Sequence, residues 1–190
     1  MASWPHEGPH LIFTDLITQK RQQIGISLNL LPVGQTKYKG KEKRLKMADS
    51  AYQPRSRKPS DWPMLVFECG YSESLKCLRQ DSRWWLSNSD GKVKVVVLIK
   101  NKPAVRKLII EAWEIKEIKN PRVIRDHPGP TRETVVCVAG VEISGDRVVG
   151  APFKIDFEKA MLRKPNKKKE KDFVFTKREL LAYSRAVWRT

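Results

Sequence analysis

The stretch that most constrains this chain is Trp62-Pro-Met-Leu-Val-Phe-Glu-Cys-Gly-Tyr-Ser-Glu-Ser74, where an apolar run over 64–67 delivers one acid, Glu68, into a Gly-Tyr-Ser turn. A short run of Leu, Val and Phe between Pro63 and Gly70 is the pattern of a central strand covered on both faces. Such a strand normally excludes a carboxylate, because burying charge is expensive. Period two puts Met64, Val66 and Glu68 on one face and Leu65, Phe67 and Cys69 on the other, so Glu68 emerges among apolar neighbours at the strand's carboxyl end. Two explanations stand: a functional site, or a buried ion pair with a nearby Arg such as Arg79 or Arg83.

The flanking segments place further elements around this strand. Residues 47–54 are semi-apolar and Asp49 leaves them at an end; residues 55–60 form a polar connector of hairpin length, so Asp49 and Glu68 are expected on adjacent strands. Ser72 is a candidate N-cap for a helix with apolar positions Leu75, Leu78, Ser82, Trp85 and Leu86, ended by Asn88-Ser-Asp-Gly91. The opposite face of that helix carries Lys76, Arg79, Gln80 and Arg83, a stripe that is solvated unless it serves the acid beside it. Residues 92–100 read as a second apolar strand, and a strand, helix and strand in this order imply a parallel unit. Residues 108–115 read as another strand, 120–132 as a Pro- and Gly-rich loop with His127 exposed in it, and 134–143 with Gly145-Asp-Arg-Val-Val149 as an edge hairpin.

The ends are more basic and less regular. Residues 10–23 have helical apolar spacing at Leu11, Ile12, Leu16 and Ile17, while His6 and His10 read as solvated; residues 24–33 fit a strand or a continued helix. Residues 37–46 hold Lys39, Lys41 and Lys43 among other bases, either as a solvated loop or as an arm that contacts phosphates. The tract Arg163-Lys-Pro-Asn-Lys-Lys-Lys-Glu-Lys171 reads as an import signal, a nucleic-acid contact through Lys167, Lys168 and Lys169, or a flexible linker. Thr176-Lys-Arg-Glu179 is a capping box for a closing helix whose Leu180, Leu181, Val187 and Trp188 dock on the core.

With 190 residues the chain suits one α/β domain: an N-terminal helical segment over 1–34, a core over 35–115, a loop and hairpin over 116–162, the basic tract over 163–172 and the closing helix over 173–190. Lys and Arg number 38 against 21 Asp and Glu, a net charge of +17 that favours an anionic partner, nucleic acid before membrane, since no amphipathic anchor accompanies it. The three cysteines have no C-x-x-C spacing and imply a reducing compartment, nuclear or cytoplasmic. No apolar run of about 18 residues reads as a membrane span.

An Asp ending one strand and a Glu on the next, followed by a helix and another strand, holds two carboxylates around a divalent cation. On Lys46-Met-Ala-Asp49-Ser-Ala, the stretch from Trp62 to Ser74, Leu78-Arg-Gln-Asp-Ser-Arg-Trp-Trp-Leu86 and Lys92-Val-Lys-Val-Val-Val, the chain resembles the PD-(D/E)xK, or restriction-endonuclease-like, superfamily, and within it small uncharacterised fungal proteins. The resemblance covers about residues 35–115, with 173–188 resembling the closing helix. It implies a mixed central sheet with a parallel strand-helix-strand unit flanked by helices. It also implies a metal-dependent nuclease in which Asp49 and Glu68 bind Mg²⁺ or Mn²⁺, or a nuclease-like module that keeps the fold and has lost the chemistry. Ala48 stands where the motif has Pro, and Gly70 where it has Lys, so Lys76 or Arg79 becomes the substitute cation, with Arg83 among the contacts to nucleic acid. Gln80-x-x-x-Trp84 faintly resembles the Gln-x-x-x-Tyr of the RecB-type branch.

Overall fold

A computed structural model of the chain describes residues 4–34, 36–41, 43–120 and 129–189. The strands are β1 (Leu30–Pro32), β2 (Lys37–Lys39), β3 (Leu45–Met47), β4 (Ser50–Pro54), β5 (Leu65–Gly70), β6 (Val95–Lys102), β7 (Lys107–Lys119), β8 (Thr131–Ser144), β9 (Arg147–Val149), β10 (Phe153–Ile155) and β11 (Phe173–Phe175). The α-helices are α1 (Trp4–Gln23), α2 (Leu75–Asn88), α3 (Phe157–Met161) and α4 (Lys177–Trp188). Seven strands form one sheet in the order β1-β4-β5-β6-β7-β8-β9, and β2/β3 and β10/β11 are separate two-stranded pieces. All pairs in the large sheet are antiparallel except β5 and β6, which α2 connects. The architecture is mixed α/β, with a mostly antiparallel sheet around one parallel pair and helices on both faces. His127 lies outside the described residues, as does the side chain of His6.

Coverage on both faces explains why β5 and β6 are apolar without alternation. On one face α2 lays Leu78, Trp85 and Leu86 against Val66, Val96, Leu98 and Trp113. On the other, Phe13 and Ile17 of α1, Phe157 of α3 and Leu180, Tyr183 and Val187 of α4 close over Phe67, Val97 and Ile99. The capping box of α4 forms as expected, with Glu179 N donating to Thr176 Oγ1 and Glu179 Oε2 accepting from Thr176 N. Glu179 also takes Lys20 Nζ of α1 at 2.5 Å, tying the first helix to the last.

Several local expectations change. The N-cap of α2 is Ser74, whose hydroxyl accepts from Cys77 N at 3.2 Å, and not Ser72; the turn after Gly70 needs two further residues before the chain can enter a helix. Lys37–Lys39 and Leu45–Met47 pair as a β-ribbon where a loop or arm was expected, and residues 24–29 are turns leading into β1. His10 is buried, with Nε2 2.9 Å from Glu7 Oε2 and Nδ1 3.3 Å from Ser50 Oγ, so it is a satisfied interior residue and not a solvated one. The basic tract folds around its own acid: Arg163 donates twice to the Glu170 carboxylate at 2.7 Å, and the N–H groups of Asn166 and Lys167 donate to Glu170 Oε2. Arg163 holds the Glu170 carboxyl down to about 2. Among the described residues no helix is long and apolar enough to cross a membrane.

Gly70 lies at a close approach of α2 to the end of β5. Leu78 of α2 lies so close that a Cβ at position 70 would come within 2.7 Å of Leu78 Cδ1, closer than real contacts allow. A side chain there requires the buried Leu78 side chain to shift. Gly70→Lys, which would restore the motif, is therefore expected to destabilise the fold by about 1–3 kcal/mol in urea unfolding; an unchanged midpoint would mean that α2 yields freely at this point.

Candidate active site

The site lies where β4 begins and β5 ends. The antiparallel ladder pairs Ser50 with Phe67 and Ala51 with Val66, so Asp49, one residue before the ladder, precedes its strand where the sequence pattern had it leave one. Its Oδ2 accepts from Cys69 N at 2.6 Å, which spans the two strand ends. Val66 and Leu98 belong to the α2 face, and period two brings Glu68 to that face. There it is buried, with its Oε1 accepting from Trp85 Nε1 of α2.

The partner of Glu68 is Lys46 of β3, with Nζ at 3.5 Å from Oε1. Lys46 also pairs with Asp81 on α2 and sits over the rings of Trp84 and Trp85, 5.9 and 6.0 Å from their centroids. Alternation in the ribbon makes this possible: Tyr38 and Lys46 are cross-strand neighbours turned inward, while Lys37, Lys39, Leu45 and Met47 face outward. Burial pushes the Glu68 carboxyl up to about 7, although Lys46 and the Trp85 N–H favour its charged form; the negative charges of Asp49 and Asp81 add to the rise. Burial and Asp49 likewise push the Cys69 thiol far up, leaving it protonated and unsuited to nucleophilic attack.

The other residues singled out from the sequence lie elsewhere. Arg79 is bound in bidentate fashion by Glu111 of β7, through Nε at 3.0 Å and Nη2 at 2.5 Å, with its guanidinium over Trp113. Arg79 is thus not the counter-ion of Glu68, and neither is Arg83, which is exposed on α2. Lys76 is exposed at the start of α2 and has no ion pair among the described residues. Lys39 and Lys43 are exposed on the ribbon, and Lys41 pairs with Asp90 at 2.9 Å. Lys167, Lys168 and Lys169 are exposed on the loop that Glu170 organises. The residue that sequence reasoning passed over is Lys46, counted there as one base in a run. The available signal was the turn Gly40-Lys-Glu-Lys between two short stretches, Lys37–Lys39 and Leu45–Met47, which makes Tyr38 and Lys46 face the same way.

The donor set suits a hard divalent cation only in part. Asp49 and Glu68 each have one oxygen engaged and the other without a hydrogen bond to described residues. Mg²⁺ keeps several waters and needs only one or two carboxylates from the protein. Among the described residues no three His, Cys, Asp or Glu side chains group as a metal cage would require. Fold and site together define a mixed α/β protein with a buried acid-lysine centre at the carboxyl end of its parallel strand pair. No family model matches the chain, and no curated protein matches it significantly.

Because the Glu68 carboxyl rises from an ordinary 4.5 to about 7, the folded state holds its proton longer than the unfolded chain. The stability this supplies is fully present below about pH 4.5 and is lost as pH climbs through 7. Comparing urea unfolding of the parent with Glu68→Gln from pH 4.5 to 8, the parent is expected to lose up to roughly 3 kcal/mol relative to the variant. Parallel curves would mean that Glu68 is not held protonated.

Proposed function

We propose that this protein is a metal-dependent nuclease with a restriction-endonuclease-like core, in which the cation near the acids comes from a neighbouring ribbon and not from the strand bearing Glu68. The observation that carries this reading is Lys46 Nζ, 3.5 Å from Glu68, beside the start of β4, which Asp49 immediately precedes. Asp49 and Glu68 supply the carboxylate oxygens that would hold Mg²⁺ or Mn²⁺, and such an ion would polarise a phosphoryl oxygen and acidify a bound water. Lys46, an ammonium with three donors, is suited to orient that water or to donate to the phosphate as negative charge develops. Asp81 of α2 forms a second ion pair with the Lys46 ammonium. Arg79 is given no part in this step, because Glu111 holds its Nε/Nη2 edge over β7. The exposed Lys39, Lys41, Lys43, Arg83 and Lys167–Lys169 supply phosphate contacts along the backbone.

One observation favours a second reading, a nuclease-like module that binds nucleic acid without cutting it: Glu68 is already satisfied by the Trp85 N–H and Lys46, as a purely structural acid would be. The two part on a direct assay. Plasmid, single-stranded DNA and RNA are incubated with the protein and Mg²⁺ or Mn²⁺. Under the nuclease reading Glu68→Gln and Lys46→Met each reduce cleavage by about 10²-fold or more in protein that circular dichroism shows to be folded at the assay temperature. Cleavage that survives both changes sinks the assignment of these residues, and no cleavage by the parent with any substrate leaves the binding module.

Both readings predict salt-sensitive association. Neutralising Lys167, Lys168 and Lys169 to Gln is expected to reduce the slope of log affinity against log salt by roughly two to three. A slope that does not change would remove the basic tract from the interface.

A further inference from the structure

Strands β2 and β3 pair only with each other, Lys37 opposite Met47 and Lys39 opposite Leu45. A lone two-stranded ribbon is marginal in water, yet its inner side is fixed at three places. Tyr38 stacks on Trp62 with centroids 5.2 Å apart, and Lys46 reaches Glu68 and Asp81. At the turn, Gly40 presses so close to α2 that a Cβ would meet Trp84 at 2.7 Å, while Lys41 N donates to Asn88 Oδ1 at 3.0 Å. The outer side is held up and left bare: Lys37 and Lys39 are exposed, Leu45 is 63% exposed and Met47 41%. Single exposed apolar residues are ordinary, but here two lie on one face of one strand, each directly across from a lysine.

We propose that this outer face of the ribbon reads the major groove of duplex DNA, an inference that rests on the nucleic-acid reading above and names its substrate. The major groove, about 12 Å wide, admits a two-stranded ribbon, and Leu45 and Met47 then meet base edges, where the thymine methyl is the apolar feature. Lys37 and Lys39 stand beside that strip with stems long enough to reach the flanking phosphates. The chemistry excludes the nearest alternatives. Duplex RNA has a major groove too deep and narrow for side chains to read, a single strand has no groove, and a protein surface covering Leu45 and Met47 would have to desolvate both lysines. Charge agrees, because Lys37, Lys39, Lys43 and Arg44 of the ribbon segment are exposed.

The test is fluorescence anisotropy in EDTA, with an A·T-rich DNA duplex of about 20 base pairs, the same duplex with deoxyuridine for thymidine, the matching RNA duplex and the single strand. The parent is expected to bind the thymidine duplex about fourfold more tightly than the deoxyuridine duplex for each methyl contacted, and more tightly than the RNA duplex or the single strand. Leu45→Ser/Met47→Ser should erase the thymidine preference. Lys37→Gln/Lys39→Gln should weaken binding to both DNA duplexes and lower the salt slope by about two. These four side chains are exposed, and an unchanged circular dichroism melt verifies that the variants fold. Equal affinity of the parent for thymidine and deoxyuridine duplexes overturns the proposal, as do variants that bind like the parent, or a parent that prefers RNA or single strands or binds no duplex DNA. Without divalent cations the assay is blind to catalysis. Groove binding by a chain that cuts nothing therefore removes the nuclease reading and keeps this one, and cleavage with ribbon-independent binding does the reverse.

Discussion

The burial of one carboxylate organises the region around the candidate site. Position 70 has no side chain, so Leu78 can settle on the end of β5 and bring α2 down onto the sheet. That approach sets Trp85 over Glu68, and the indole N–H becomes its hydrogen-bond donor. A carboxylate so enclosed raises its proton affinity and attracts a cation, which β3 supplies as Lys46. Sheet, helix and ribbon are thereby joined through a single side chain. Replacing a whole buried pair by apolar groups can be neutral, whereas removing one partner is costly, so the pair specifies position more than it adds net stability.

The same solution recurs across the fold. Glu111 is buried against Arg79 of α2, Glu114 against Lys159 of α3, and Glu170 against Arg163 of its own loop. Glu111 and Glu114 meet cations from other elements and act as ties between segments, while Glu170 organises its own loop. In a chain with 38 basic and 21 acidic residues, acids placed this way leave the surplus of positive charge at the surface. Lys37, Lys39 and Lys167–Lys169 are exposed members of that surplus. A field of this sign steers anionic ligands and loses strength with salt.

Local rules made much of the fold legible. Unbroken apolar runs announced β5 and β6, because coverage on two faces removes alternation, and the three-and-four spacing of Leu78, Ser82, Trp85 and Leu86 announced α2. The capping box at Thr176 placed the start of α4. Less legible were the ribbon, where abundant lysine hides a short alternating pattern, and His10, whose burial depends on α1 lying over Ser50, forty positions away. The counter-ion of Glu68 was sought on α2 by proximity in sequence. Arg79 instead turned to Glu111, because α2 also crosses β7, and a bidentate guanidinium-carboxylate pair there competes with any reach toward Glu68.

By itself the sequence determined that a charged group would sit at the end of a covered strand, and that a helix would lead back to a parallel partner. Those are consequences of periodicity, turn chemistry and the expense of burying charge, all readable within some twenty residues. Only the tertiary structure decided which cation answers Glu68, how closely Leu78 approaches position 70, and that the basic residues of 163–171 form a loop around Glu170. Each of these depends on atoms brought within a few ångströms from distant parts of the chain. At that range hydrogen bonding and charge pairing select a partner by geometry, which separation along the sequence does not encode.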